Sequence, residues 1–261
     1  MSLRYLFVDM NSFFASAEQQ LQPGLRNRPV AVSPVKAETT CCIAASYQAK
    51  RFGVKCGTPV YEARRMCPGI RIVPARPELY IRIHDDIKKA VEACLPVERT
   101  LSIDEFACRL SSDRREPEMA IRIAREVKDA IRTGVGEFLR ASIGIAPNQF
   151  LAKVAADMQK PDGLTLLQDQ ELPQRLYGLE LIDFPGIGRR MGERLQRAGI
   201  QKAEQLCGLS AAELSRLWGS KIVGSNWWHQ LHAGAGPWGA DSALAQSGCA
   251  VAVHRVFRPI D

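Results

Sequence analysis

Three carboxylates, far apart along the chain, are the residues best suited to chemistry. Asp9 closes the apolar run Tyr5-Leu6-Phe7-Val8, and Asp104 and Glu105 close a second run, Leu101-Ser102-Ile103. Each acid falls where a buried strand would emerge into solvent. Burying unpaired charge is costly, so carboxylates in such places rarely serve packing. Brought together, the three would hold a hard divalent cation such as Mg²⁺, which takes oxygen ligands. Two such ions sharing carboxylates catalyse in-line phosphoryl transfer: one activates the attacking oxygen, the other steadies the leaving phosphate.

The elements that must position these acids follow from the apolar pattern. A strand is expected over 4–9 and a helix from Phe13 to Leu21. Residues 22–76 are rich in Pro, Gly and Arg, with short strands near 29–32, 40–44 and 70–73 and helices near 46–52 and 59–66. A long helix over 78–95 carries Ile81, Ile83, Ile87, Val91 and Leu95. Strands over 98–103 and 105–110, a helix over 117–133 and a strand over 140–145 complete the region. With 22–76 set aside as an insert, the order is β-α-β-β-α-β, the α+β ferredoxin-like unit. Its third strand lies antiparallel between the first and second, so the end of strand one adjoins the start of strand three. That topology by itself gathers Asp9, Asp104 and Glu105. A helix from Gln149 to Met158 and a turn at Lys160-Pro161-Asp162-Gly163 follow. Residues 168–238 read as a small all-helical domain, and 249–253 as the opening strand of something further.

A second pattern points to a polyanion. Phe184-Pro185-Gly186-Ile187-Gly188 is followed by Arg189-Arg190. The glycines permit tight backbone turning, and the next helix presents free N–H groups to an anion. An apolar-Pro-Gly-Ile-Gly turn between two short helices is the helix-hairpin-helix pattern, which grips nucleic-acid phosphates without reading bases. The charge distribution agrees. The chain carries a net +7, and eight Lys/Arg against Glu62 and Glu78 give a local +6 between Lys50 and Arg82. Seven Lys/Arg against three acids give +4 between Phe184 and His232. Clustered positive charge favours nucleic acid as partner. The acids alone would also suit a cyclase acting on free nucleotides, but the hairpin and the basic clusters argue against it.

The bulk properties exclude other classes. At 261 residues, 46% hydrophobic and 24% charged, the chain suits two or three small globular domains. No apolar run is long enough for a transmembrane helix, so no membrane association is expected. No secretory signal opens the chain, which implies a cytoplasmic protein. The eight cysteines form no C-x-x-C pair and read as free buried thiols in a reducing compartment. His229 and His232 have no third ligand nearby for a metal.

Taken in order, these residues resemble a Y-family DNA polymerase of the DinB/polymerase IV type. The resemblance rests on Asp9-Met10-Asn11-Ser12-Phe13-Phe14-Ala15-Ser16-Ala17-Glu18 and on Ala45-Ser46-Tyr47-Gln48-Ala49-Lys50-Arg51-Phe52-Gly53-Val54. It rests equally on Ser102-Ile103-Asp104-Glu105, Ala141-Ser142-Ile143-Gly144-Ile145-Ala146, the run Lys153 to Gly163, and the hairpin at 184–188. The set covers about residues 4–235 and is specific as an ordered whole. It implies a palm over 1–21 and 77–167, small fingers over 22–76, a helix-hairpin-helix thumb over 168–238, and a linker with the start of a little finger over 239–261. It implies that Asp9, Asp104 and Glu105, with the Met10 carbonyl, hold two Mg²⁺ ions, with Mn²⁺ as a substitute. Phe14 falls at the steric-gate position beneath the sugar, with Phe13 beside it as a core ring or a second nucleotide contact. Tyr47, Lys50, Arg51 and Lys160 would face the triphosphate of the incoming dNTP, and Gly186, Gly188, Arg189 and Arg190 the DNA backbone. The implied activity is low-fidelity, template-directed translesion synthesis by a monomer on primer-template DNA. A sliding clamp would be reached through a region absent from this chain. The alternative is a catalytically weak or inactive DNA-binding scaffold of the same family.

The chain departs from the family pattern at several places. Asn11 stands where an Asp is usual, Lys50 where an Arg is usual, and Ala44 where a Thr is common. After the second acidic motif the chain reads Phe106-Ala107-Cys108-Arg109 in place of Ala-Tyr-Leu-Asp. Lysine lacks the bidentate fork of arginine, which predicts weaker nucleotide binding.

Overall fold

The computed structural model describes residues 3–233. The strand expected at 249–253 and the linker at 239–261 lie outside the described residues. Strand β1 (Tyr5–Met10) and helix α1 (Phe13–Leu21) open the fold. Strands β2 (Val30–Ser33) and β3 (Ala44–Ala45), helices α2 (Tyr47–Lys50) and α3 (Val60–Met66) and strand β4 (Arg71–Pro74) follow. Then come α4 (Pro77–Glu92), β5 (Val97–Thr100), β6 (Glu105–Arg109), α5 (Pro117–Gly134), β7 (Ala141–Ala146), α6 (Gln149–Met158) and β8 (Leu164–Leu166). Four helices end the described chain: α7 (Arg189–Arg197), α8 (Ala203–Cys207), α9 (Ala211–Trp218) and α10 (Lys221–Leu231).

One sheet has five strands in the order β5-β6-β1-β7-β8. The strand third in the expected unit, β6, lies between the first and second, β1 and β5, as read from the sequence. β8 was not expected. It pairs parallel to β7, with Ile143 opposite Leu164 and Ile145 opposite Leu166, and its three residues are too few to show a period. A second sheet has the order β3-β2-β4, with β2 antiparallel to β3 and parallel to β4. The strand expected over 40–44 shrinks to Ala44–Ala45 and a lone bridge from Cys41 to Pro59. Ser46 ends it by turning its hydroxyl to the Ala49 N–H as the N-cap of α2.

The described chain forms two compact units. One comprises 3–9, 107–124 and 142–233, the other 10–106 and 125–141. Within the second, the segment around β2 and β3 builds its core mainly from small side chains, Ala31, Cys42, Ala45, Ala49, Val54, Val60, Ala63 and Cys67, with Ile70 among them and Met66 and Ile72 packed against the cluster. Helix α4 starts on Pro77, whose missing N–H costs nothing at a first helical position. It buries Tyr80, Ile83, Ile87 and Val91, a spacing of three and four residues. Ile81, read from the sequence as part of that stripe, points outward and is 51% exposed. In the first unit, Gly144 of β7 lets α6 approach closely. A Cβ there would stand 2.0 Å from the Ala152 carbonyl oxygen and 2.3 Å from the Ala156 nitrogen. No helix among the described residues is long and apolar enough to cross a membrane. Free thiols are found at Cys41, Cys42, Cys67, Cys94, Cys108 and Cys207. Cys41 is exposed, against the expectation of burial.

Candidate active site

In the first unit, β1 delivers Asp9 and α6 delivers its partners. Asp9 lies inside the strand and is only 5% exposed, rather than emerging into solvent as expected. Its two carboxylate oxygens are both taken. Lys153 Nζ lies 2.5 Å from Oδ2 and Lys160 Nζ lies 2.7 Å from Oδ1. Asp157 closes the cluster, with Lys160 Nζ at 2.7 Å from one oxygen and Lys153 Nζ at 3.2 Å from the other. Two acids and two ammoniums thus neutralise one another, and Lys153 also lies over the Phe7 ring at 5.4 Å. Burial opposes ionisation of Asp9, but Lys153 and then Lys160 outweigh it and hold the carboxyl below its ordinary range. Burial likewise works against the Lys160 charge, and Asp9 and Asp157 outweigh it and raise its pKa. Lys160, expected to await a triphosphate, is therefore engaged with carboxylates.

In the sequence Lys153 and Asp157 stand only as members of the run from Lys153 to Gly163. A signal was present in their spacing. Residues 153 and 157 are four apart and 157 and 160 three apart, so neighbouring side chains meet along one face.

In the second unit, the chain leaving β1 is tied to the other acidic motif. The Met10 N–H donates to the Asp104 carbonyl at 2.9 Å, and the Asn11 N–H to the Arg140 carbonyl at 2.8 Å. Asp104 accepts from the Ser102 hydroxyl at 2.5 Å, and Glu105 opens β6. His84 of α4 steadies this turn: its Nδ1 is 2.8 Å from the Ile103 carbonyl and its ring stacks on Phe106 at 5.1 Å.

Beyond Asn11 the backbone turns sharply. Ser12 has φ 50° and ψ 45°, a left-handed conformation uncommon outside glycine. Its hydroxyl is buried without a hydrogen-bond partner among the described residues. It stands at the N-terminus of α1, where the first-turn N–H groups have no partner inside the helix. Phe13 and Phe14 are both buried, their ring centroids 5.6 Å apart. Phe14 stacks on Tyr80 at 4.6 Å, whereas Phe13 meets Tyr80 edge-on at 6.4 Å. Tyr80 is in turn fixed through Glu18, whose wholly buried carboxylate accepts its hydroxyl at 2.8 Å. The Arg76 guanidinium grips the same carboxylate with both Nε and Nη2. No local spacing announces this trio, because Glu18 lies about sixty residues before Arg76 and Tyr80.

The remaining expected residues sort as follows. Lys50 Nζ sits over the Tyr47 ring at 4.4 Å, so α2 presents the two together. Arg51 is exposed at the end of α2. Gly186 has φ 94°, which only glycine adopts freely, and Gly188 caps α7. Phe184 and Ile187 are buried beneath the turn, while Arg189 is exposed and pairs with Glu193 at 3.3 Å. His232 stacks on Trp228 and bonds its carbonyl, a packing role.

Among the described residues no group of three or more His, Cys, Asp or Glu side chains is gathered as a metal cage. The donor chemistry nonetheless fits a hard divalent ion. Asp9 carries carboxylate oxygens of the kind such an ion takes, and in this arrangement an ammonium rests on each of them.

Comparison with known proteins places the chain in a family. Residues 8–157 match the model of the impB/mucB/samB family. The chain belongs to that family. It is 39% identical over 221 residues to a DNA polymerase IV of Moorella thermoacetica, covering 84% of this chain and 54% of that protein. It is 33% identical over 200 residues to a DNA polymerase IV of Saccharolobus solfataricus, covering 76% of this chain and 56% of the other. The chain thus spans little more than half the length of these relatives. Among solved structures it is similar to the crystal structure of DinB from Sulfolobus solfataricus. The TM-score is 0.76 at 30% identity, over 87% of this chain and 66% of that one. It is also similar to an insertion ternary complex of Dbh DNA polymerase, with TM-score 0.76, 29% identity, and 87% and 67% coverage. The family expected from the sequence, and its mixed α and β architecture, are those found.

Proposed function

We propose that the chain carries the nucleotidyl-transfer core of a low-fidelity, template-directed DNA polymerase acting in translesion synthesis. The observation that carries the reading is the Met10 N–H bond to the Asp104 carbonyl, which ties the residue after Asp9 to the second acidic motif. Membership of a family whose relatives are named DNA polymerase IV supports it.

In this reading Asp9, Asp104, Glu105 and the Met10 carbonyl hold two Mg²⁺ ions, with Mn²⁺ as a substitute. The ions would supply an activated primer 3′-OH and neutralise the charge building on the α-phosphate and the departing pyrophosphate. The chain's own residues do the rest. The Ser12 hydroxyl and the free N–H groups of α1 receive phosphate oxygens. Tyr47, Lys50, Arg51 and Lys160 contribute further donors and charge to the triphosphate. Phe14 lies under the sugar and excludes a ribose 2′-OH, with Phe13 packed behind it. Gly186, Gly188, Arg189 and Arg190 hold the DNA backbone without reading bases.

The ferredoxin-like palm would comprise 1–21 and 77–167, the fingers 22–76, the thumb 168–238, and a linker with the start of a little finger 239–261. Fingers whose core is largely Ala, Val and Cys offer a light clamp on the nascent base pair. Weak shape-checking, and hence tolerance of damaged templates, follows. The reading takes the protein as a cytoplasmic monomer, with primer-template DNA and dNTP as partners and a clamp reached through a segment outside this chain.

One observation favours the alternative of a non-catalytic DNA-binding relative: Asp9 is matched by lysines, and no cage of acids is assembled around it among the described residues. Single-nucleotide primer extension at low salt with Mg²⁺ separates the two. Incorporation that disappears in Asp104→Ala and in Glu105→Ala is expected. Incorporation that survives either change, or none by the unaltered chain on demonstrably bound DNA, overturns the catalytic assignment.

A further inference from the structure

We infer that His84 is a positioning residue for the proposed nucleotidyl transfer: its ring, held against Phe106, fixes the Ile103 carbonyl and with it the turn from which Asp104 and Glu105 project. Its catalytic side rests on the reading of those acids as the reacting site, while its hold on the turn can be measured apart from that reading.

The turn is short and is tied at three points. Strands β5 and β6 close on the Leu101 N–H, which donates to the Glu105 carbonyl at 3.0 Å and leaves Ser102, Ile103 and Asp104 as the connection. The Asp104 carbonyl accepts the Met10 N–H at 2.9 Å, and the Asp104 carboxylate accepts the Ser102 hydroxyl at 2.5 Å. The Ile103 carbonyl between them is held by His84, with Nδ1 at 2.8 Å. A carbonyl oxygen can only accept, so Nδ1 carries the proton and donates it. That carbonyl belongs to the planar peptide that enters Asp104, so holding it sets the direction in which the Asp104 side chain leaves the backbone.

The ring is itself oriented. It stacks on Phe106 with centroids 5.1 Å apart and planes 22° from parallel. Phe106 is completely buried and directly follows Glu105 on β6, so strand alternation sends Glu105 to the opposite face. Stacking fixes the plane of the imidazole, and its N–H lies in that plane, so Phe106 aims the donor. The departure from the family pattern at Phe106 thereby acquires a physical reason: an alanine there would give the His84 ring no face to stack on. The helix behind the ring is anchored as well. Tyr80, one turn before His84 on α4, stacks on Phe14 and bonds Glu18. One face of α4 thus holds both the ring at the start of α1 and the acidic turn.

Two substitutions separate packing from positioning. His84→Phe keeps a flat ring for Phe106 and removes the donor, whereas His84→Asn gives up the ring and keeps a side-chain N–H. If His84 only fills space, Phe is the better substitute; if it positions the turn, Asn is. Deuterium exchange of the Met10 and Leu101 amides, followed by NMR on the full chain without DNA or nucleotide, reads the turn directly, because these amides bond the Asp104 and Glu105 carbonyls. Circular dichroism checks that each variant is folded. His84→Phe should speed both exchanges on the order of tenfold, and His84→Asn by no more than about threefold. Single-nucleotide primer extension with dCTP and Mg²⁺ should follow the same order. His84→Phe should lower kcat roughly three- to tenfold while moving the KM for dCTP by no more than about twofold, and His84→Asn should restore most of the kcat. Unchanged exchange in folded His84→Phe overturns the inference, as does a kcat higher in His84→Phe than in His84→Asn. If the unaltered chain incorporates nothing while exchange keeps the expected order, the polymerase reading fails and the catalytic role with it, and the hold of His84 on the turn is upheld.

Discussion

Glu18 offers a sharp test of how this fold is held. Its carboxylate is wholly buried and accepts four hydrogen bonds: two from Arg76, one from Tyr80 at 2.8 Å and one from Gln22 at 2.7 Å. Glu18→Ala removes the anion and leaves the Tyr80 hydroxyl, which is also fully buried, with no acceptor. Because the Arg76 side chain is 42% exposed and can reach water, the cost falls below the roughly 3–5 kcal/mol of a pair buried on both sides, to about 2–4 kcal/mol, which for a chain of this size lowers the melting temperature by roughly 4–16 °C. Tyr80→Phe is a milder change, because Arg76 and Gln22 still hold the carboxylate. It should cost about 1.5–3 kcal/mol, the worth of one hydrogen bond to a charged group.

The two costs should not add. Once Glu18 is gone the Tyr80 hydroxyl has nothing left to lose, so the double variant should be less unstable than the sum by at least about 0.5 kcal/mol. Urea unfolding followed by circular dichroism measures all three. The reasoning is refuted if Glu18→Ala costs less than Tyr80→Phe, or if the two changes are strictly additive. Either result would mean that Arg76, whose side chain is 42% exposed, turns to solvent and that the trio is not a unit.

Two further outcomes are expected. Arg189→Ala with Arg190→Ala should weaken DNA binding and flatten the plot of log affinity against log salt by about 0.9 for each duplex phosphate that is no longer neutralised; an unchanged slope removes the hairpin from the interface. Burial pushes the Cys207 thiol up to about 12 and the Cys42 thiol up to about 11. Iodoacetamide at pH 8 should therefore label exposed Cys41 in the folded chain and reach Cys42 and Cys207 only after denaturation, as peptide mapping would show. The sign for stability follows. These thiols favour the folded state below the unfolded value of 9.0, and that contribution drains away as pH climbs from there toward about 12.

What the sequence disclosed and what it withheld divide along physical lines. Helix α1 and helix α6 were bounded from their residues alone, because period and turn signals mark both ends. The strand order was legible because a β-α-β-β-α-β succession has few unknotted solutions. Glu18, Arg76 and Tyr80 were illegible as a trio: a buried ion pair formed across about sixty residues leaves no local period. The pairing of Asp9 with lysines was half legible. The spacing of Lys153 and Asp157 marks one face of α6, with Lys160 just past its end, but nothing in it says that Asp9 lies opposite. Ile81 shows the reverse error. An isoleucine is no proof of burial, and the buried face of α4 runs through Tyr80 instead.

The stretch from Asp9 to Glu18 makes the strongest case for a ligand, by elimination. Asp9 is matched by two ammoniums, and Met10 and Asn11 give their N–H groups to the Asp104 and Arg140 carbonyls. Ser16 returns its hydroxyl to the Asn11 carbonyl at 2.7 Å, and Glu18 is saturated by Arg76, Tyr80 and Gln22. Buried polar groups in folded proteins are almost always paired, so the exceptions need a cause. Here the exceptions coincide. The Ser12 hydroxyl is buried and has no partner among the described residues, it sits on a left-handed residue, and it stands where the first N–H groups of α1 have no partner inside the helix. A backbone held this firmly on both sides does not leave donors idle through looseness. Donors gathered at a helix N-terminus favour an anion over any other ligand.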